Sequence, residues 1–220
     1  MSRKVVVFGG GSFAQIVHFY LTHDSPYEVA AFTVHESHIT QEEMCGLPVV
    51  PFEALADRFP PDACDMYVAV GYKDVNRVRA RICDDAKRRG YTLISYVSSR
   101  CTRWDGLEIG DNCFILEDNT LQPFTRIGND VVMWSGNHIG HHVTIEDHCF
   151  ITSHVVISGH VQVGAYSFVG VNATVRDGIR IGRANVIGAG ALILDSTADE
   201  AVYAARRTPP HALKSSDLDL

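Results

Sequence analysis

The sequence predicts an α/β domain followed by a parallel β-helix. Three observations carry this: strand and helix patterns alternate before residue 100, an aliphatic residue stands at every sixth position from Ile109, and glycine often follows that residue. The boundaries drawn from these patterns are 1–104 for a Rossmann-like domain, 105–197 for the β-helix and 198–220 for a tail.

In the first part, the apolar run from Lys4 to Phe8 reads as a strand, Phe13 to Thr22 as an amphipathic helix and Val29 to Val34 as a second strand. Asp65 to Gly71 reads as another buried strand. A charged helix over Lys73 to Arg89 follows, with Val75, Val78, Ile82 and Ala86 on one face, and then a strand from Thr92 to Val97. Alternation of this kind builds a small sheet with helices on its faces.

In the second part the aliphatic series is Ile109, Ile115, Leu121, Ile127, Met133, Ile139, Ile145, Ile151, Ile157, Val163, Val169, Val175, Ile181, Ile187 and Ile193, without a break. A period of six cannot be helical, because apolar positions on a helix recur every 3.6 residues; it suits a short strand plus a turn. Three such units make one coil of a triangular prism, and successive coils lie about 4.8 Å apart, the ordinary strand spacing. Two positions before the aliphatic column the residue is usually small or β-branched (Cys113, Thr125, Val131, Val143, Val155, Val161, Ala173, Ala191), and alternation along a strand turns it inward too. Gly110, Gly128, Gly140, Gly164, Gly170, Gly182 and Gly188 follow the column, where a corner calls for permissive backbone.

Composition narrows the function. Nineteen basic and 26 acidic residues give a net charge of −7 with no Lys/Arg cluster, so the field repels nucleic acid and anionic membranes. Met1 to Lys4 runs straight into a strand with no signal-peptide core, and no uncharged run is long enough to span a bilayer; the expected location is cytoplasmic. Six cysteines without a C-x-x-C pair read as reduced structural thiols.

The repeat, the segment from Val5 to Ser12, Asn137 to His142, and Val202 to Arg207 together resemble the PglD/NeuD-like sugar acyltransferases of the hexapeptide-repeat class, close to the perosamine N-acetyltransferase type. The resemblance implies a left-handed coil, where ordinary crossovers are right-handed. It implies acetyl-CoA as co-substrate, a nucleotide-linked sugar as acceptor, and a homotrimer with active sites between subunits. The reaction implied is N-acetylation of an amino sugar in surface-glycan biosynthesis, with O-acetylation of a sialic-acid-type sugar and a non-catalytic binding module as alternatives.

Gly9, Gly11 and Ala14 read G-x-G-x-x-A between a strand and a helix, with Glu36 after the second strand, a geometry that receives an anion on free amides. A dinucleotide would need a second half-sheet, which the β-helix replaces. The resemblance implies instead that Gly10, Gly11, Ser12 and Phe13, His35 or Glu36, and the turn Gly71-Tyr72-Lys73 hold the sugar nucleotide.

Six of the eleven histidines fall between residues 138 and 160. His142, His148, His154 and His160 recur at the third position after the column, at corners, and read as exposed; corner side chains of one prism point apart, and no metal is expected. The γ-class carbonic anhydrases share the β-helix but need two histidines five apart, a spacing this repeat lacks. On the resemblance His141 is the general base, suited to accept a proton near pH 7. The resemblance implies an orienting residue directly after the base, often acidic in the family; here it is His142, leaving Asn137, Glu117 or Asp118 as further candidates. Gly159, one coil above His141, and Ala189 are implied to meet the CoA arm, and Arg206 and Arg207 its phosphates.

Overall fold

The computed structural model describes residues 3–206, 208–210 and 212. Strands β1 (Lys4–Phe8), β2 (Glu28–Val34), β3 (Glu43–Met44), β4 (Leu47–Pro51) and β5 (Asp65–Val68) form one sheet in the order β3-β4-β2-β1-β5, parallel except for β3. Helix α1 (Ser12–His23) buries Ala14, Val17 and Leu21 on one face of the sheet. The short α2 (Leu55–Arg58) and α3 (Arg77–Arg88) bury Leu55, Cys83 and Ala86 on the other.

The second part is a left-handed parallel β-helix. Fifteen two-residue strands recur every six residues from β7 (Glu108–Ile109) and β8 (Phe114–Ile115) to β21 (Leu192–Ile193), and within the repeat each pairs with the strands 18 residues away, as Arg126 does with Thr144. A first face holds β7, β10, β13, β16 and β19; a second holds β8, β11, β14, β17 and β20; a third holds β9, β12, β15, β18 and β21. The aliphatic column and the small residues two positions earlier meet on the axis as one buried core. The second face is longer than the repeat, because β6 (Tyr96–Val97) pairs with β8 and β22 (Val202–Tyr203) with β20.

Four local expectations are revised. The predicted strand from Thr92 to Val97 is divided, since Leu93 bridges to Met66 in the N-terminal sheet while Tyr96 and Val97 lay the first rung of the prism. The helix expected from Lys73 begins at Arg77, because Asp74, Val75 and Asn76 have φ of 55, 46 and 65°. Glycines after the column are not the left-handed corner residues. A Cβ on Gly140 would lie 2.5 Å from the Gly159 backbone nitrogen and 2.7 Å from the Ser158 carbonyl carbon, so this position needs hydrogen to let the next coil close. The left-handed turn falls two residues later, on Asn112, Asp118, Phe124, Asp130, His142, His148, His154, His160, Tyr166, Asn172 and Ala184. Asparagine, aspartate and histidine are the non-glycine residues that accept this conformation most readily. Of the six thiols, all unpaired, Cys45 is exposed rather than structural.

The two parts share a core across the second face. Phe114 and Leu116 of the prism are buried with Val5, Val7, Leu21 and Tyr67. Phe13 packs edge-on against Phe114 and Phe150, with ring centroids 5.9 and 6.4 Å away. At the corner between the first and second faces the joint is ionic. Arg79 is fully buried; its Nε donates to Asp130 Oδ1 at 2.8 Å, and its Nη2 donates to the carbonyls of Asp130 and His148. Asn112 and His148 complete the Asp130 carboxylate. Burial alone would raise the Asp130 pKa, but Arg79 and these bonds outweigh it and hold it low. Its contribution to stability is therefore present above the ordinary carboxylate range and lost as pH falls through the lowered pKa.

Replacing Arg79 by Met strands a buried carboxylate and should cost about 3–5 kcal/mol in denaturant unfolding. Adding Asp130→Asn should restore most of that loss. Simple additivity of the two substitutions would show that the pair is not coupled.

Candidate functional site

The corner between the third and first faces lies opposite the face that carries the N-terminal domain. Each coil crosses it in four residues, 122–125, 140–143 and 158–161. The His141 amide donates to Gln122 Oε1 of the coil below at 2.9 Å, and the His160 amide donates to the His141 carbonyl at 2.9 Å, which fixes the backbone on both sides. The His141 ring lies against Gly159: a Cβ there would stand 2.8 Å from Cε1 and 2.9 Å from Nε2. The coil-above placement of Gly159 is thus a direct contact, and only a glycine leaves the imidazole room.

Beside His141, the rings of Phe124, His142 and His160 form a column. Phe124 and His142 have centroids 4.6 Å apart, and His142 stacks on His160 at 4.8 Å with planes 17° apart. The column follows from the repeat, because all three residues take the left-handed corner position one coil after another. His141 stands perpendicular to it, 4.8 Å from His160, with its Nδ1 3.1 Å from His142 Nδ1. One nitrogen of each of His141, His142 and His160 lies within 4.8 Å of the others, and all three side chains are exposed. Different corners do point apart, as expected, yet one corner column brings three imidazoles together. The His142 imidazole is held below the ordinary histidine value by partial desolvation and by the neighbouring His160 and His141.

The other orienting candidates lie elsewhere. Asn137 is buried at the corner between the second and third faces, where its Oδ1 accepts from the Val155 amide at 2.7 Å, its Nδ2 donates to the Trp134 carbonyl, and its amide donates to Asn119 Oδ1. It is a rung of an interior amide ladder and does not touch His141. Glu117 accepts from Tyr20 Oη and Ser135 Oγ at 2.7 Å each, and Asp118 pairs with Arg100. Gln122 is a contact that the sequence does not single out; its signal is a spacing of 19 residues, one coil plus one position. His148 is not a free corner side chain either. Its Nδ1 sits 2.9 Å from Asp130 Oδ2 and its ring lies on Tyr166.

The segments expected to hold the nucleotide gather at the carboxyl ends of β1, β2 and β5, the edge where ligands enter such sheets. Gly10, Gly11 and Ser12 are exposed, and Gly11 caps α1 with open space where a side chain would stand. Gly9 has the tight place instead, at φ 150° against the Ala69 carbonyl. His35 and the Glu36 amide both bind Glu53, at 2.8 and 3.0 Å, so Glu53, unremarkable in the sequence, joins this edge. Tyr72 is exposed over Phe150 and Phe168, at 5.1 and 4.8 Å. Asn76, whose Nδ2 donates to the Tyr166 carbonyl at 2.8 Å, anchors the left-handed turn that follows Gly71, Tyr72 and Lys73.

Gly159 and Ala189 occupy the two corners that flank the third face, so a single prism does not bring them together. Arg206 is exposed just after β22, and the Ala205 side chain before it would lie 4.0 Å from a Cβ on Gly190, the residue after Ala189. Arg207 lies outside the described residues.

The bacterial transferase hexapeptide family, described by six repeats, matches residues 124–159. No curated protein sequence matches the chain. In three dimensions the chain is similar to the acetyltransferase domain of PglB from Neisseria gonorrhoeae FA1090 in complex with acetyl coenzyme A, with a TM-score of 0.83 and 23% identity over 93% of this chain and 97% of that one. It is similar to a histidine-to-asparagine mutant of perosamine N-acetyltransferase from Caulobacter crescentus in complex with CoA and GDP-perosamine, with a TM-score of 0.83 and 22% identity over 92% of this chain and 93% of that one. WeeI from Acinetobacter baumannii AYE follows at a TM-score of 0.71 and 17% identity, over 90% and 94%. An α/β domain joined to a hexapeptide β-helix is therefore an architecture this chain shares, over almost its whole length, with acetyltransferases of known structure.

Proposed function

We propose that this chain is an acetyl-CoA-dependent N-acetyltransferase acting on a nucleotide-linked amino sugar, with His141 as general base. The observation that carries the reading is the His141 imidazole, exposed at a rigid corner against a glycine, with its Nδ1 engaged by His142 and its Nε2 toward Gly159. Two of the structural relatives were solved with acetyl coenzyme A or with CoA and GDP-perosamine, which supports the same pair of substrates here.

A bound acetyl thioester supplies an activated carbonyl, and the residues of the chain do the rest. Gly159 leaves the corner open to an extended pantetheine arm, and the exposed Arg206 just after β22 offers a partner for a phosphate. Nε2 of His141 takes the proton that the attacking amine must lose. His142 directly follows the proposed base, at the position that the family resemblance gives as often acidic. As a neutral ring it accepts a hydrogen bond from Nδ1–H of His141 and so keeps the lone pair on Nε2.

Within one chain the nucleotide edge is on the second face and His141 on the opposite corner. This separation supports a homotrimer in which one subunit's N-terminal domain serves the imidazole of the next. Val156 and Leu192, exposed and apolar on the third face, suit such a contact.

His141→Asn should retain the fold and lower kcat by about 10²- to 10⁴-fold in a thiol-release assay with nucleotide-linked amino sugars, with KM little changed. A wild-type kcat would remove the base from this position.

The His142 ring should titrate below 6.5 by NMR, and His160→Ala should move its midpoint upward by removing a neighbouring positive charge. Above that midpoint His142 is neutral and can accept from His141; below it the cation repels a proton on His141. The rate should therefore rise with pH through this range.

Sedimentation equilibrium should give a mass of three chains. Full activity in a monomer at nanomolar concentration would exclude a shared site.

A further inference from the structure

We propose that His141, His142 and His160 form a capture site for a zinc-type divalent cation, and that filling this site silences the enzyme. The silencing rests on the general-base reading of His141; the capture does not.

The site is built by the repeat. In-register strands place equivalent residues about 4.8 Å apart, and a corner held in the left-handed conformation projects them in parallel. His142 and His160, with φ of 58 and 59°, are such a pair, and His141 adds a third imidazole from the adjacent position. One nitrogen from each lies within 4.8 Å of the other two. Two nitrogens on a tetrahedral zinc ion, each about 2.0–2.1 Å from the metal, are roughly 3.3 Å apart. The rings must tilt out of their stack to close that difference. All three are exposed, so each ring has solvent on its outer side to move into, while the backbone beneath is locked by the amide bonds to Gln122 and the His141 carbonyl.

The availability of the nitrogens separates this corner from the other histidines. His148 is bound by Asp130 and His35 by Glu53. Among the described residues, the ring nitrogens of His141 and His142 have only each other as polar partners, and the ring of His160 has none. Three neutral nitrogens with no carboxylate select zinc, copper or nickel over magnesium or calcium. Three protein ligands leave a fourth position for water. Coordination would occupy the imidazole lone pair of His141 that otherwise accepts the substrate proton, so metal and catalysis exclude each other.

The test uses the untagged full-length protein and Zn²⁺ alone, by isothermal titration without substrates. Wild type should bind one ion per chain, and His160→Ala should weaken binding by at least about tenfold, since a direct ligand counts for no less than an outer-shell partner. Alanine is accommodated in this left-handed position of the repeat, as Ala184 shows at another corner with φ 53°. His154→Ala, at another corner, should bind as wild type does. Cobalt(II) in place of zinc should give the intense visible absorption of a tetrahedral site, lost in H160A. No binding at micromolar zinc, or equal binding by wild type and H160A, overturns the capture site while leaving the base assignment intact. In assays, zinc should inhibit wild type reversibly on chelation and H160A at least about tenfold less well. Zinc held at this corner with undiminished turnover overturns the silencing and, with it, the base role of His141.

Discussion

The structure depends on one steric condition, met once every six residues: the chain must turn through a left-handed residue while the residue two positions earlier stays clear of the coil above. Where the condition is met, strands of only two residues stack in register and their backbone amides find partners in the next coil. The aliphatic column then fills the axis without a helix or a long strand anywhere in the prism. A two-residue strand has almost no stability of its own, so order in each coil is borrowed from its neighbours, as in other solenoids.

The same condition accounts for the chemistry at the corners. Left-handed backbone is open to few residue types besides glycine, and histidine is one of them. A corner thus becomes a place where imidazoles can be repeated at the coil spacing with their rings in the solvent. In most corners this has no further consequence: His148 is absorbed by the Asp130 network, and the ring of His154 fills the space beside Gly136. At the corner of His141 it produces a column of rings and, next to it, one imidazole turned across the others.

Much of this is legible in the sequence because the repeat has a period that no other regular structure shares. The column, the inward small residues, the Rossmann-like strands and the position of Gly159 above His141 all follow from counting. What counting cannot reach are contacts with no fixed spacing. Arg79 reads as one more charge on a charged helix, and only the docking of α3 against the prism corner turns it into a buried ion. Asn137 has the composition of a site residue, but its side chain faces inward and bonds backbone. The glycines after the column stand where counting puts them but for another reason, since sequence cannot tell a residue chosen for its dihedral angle from one chosen for lacking a Cβ. Glu53 reaches the His35 edge through tertiary folding alone.

Pairing at intervals of 18 residues also limits how such a chain can change in length. An insertion of one whole coil lengthens the prism and returns every later residue to the face it occupied before, as the match of Arg126 with Thr144 and of Thr144 with Gln162 illustrates. An insertion of a single six-residue unit keeps the core column intact but rotates everything after it by a third of a turn, which would carry one half of an active corner away from the other. Surviving lineages should therefore vary by complete coils, and preferentially beyond residue 161, where growth leaves the imidazole cluster undisturbed.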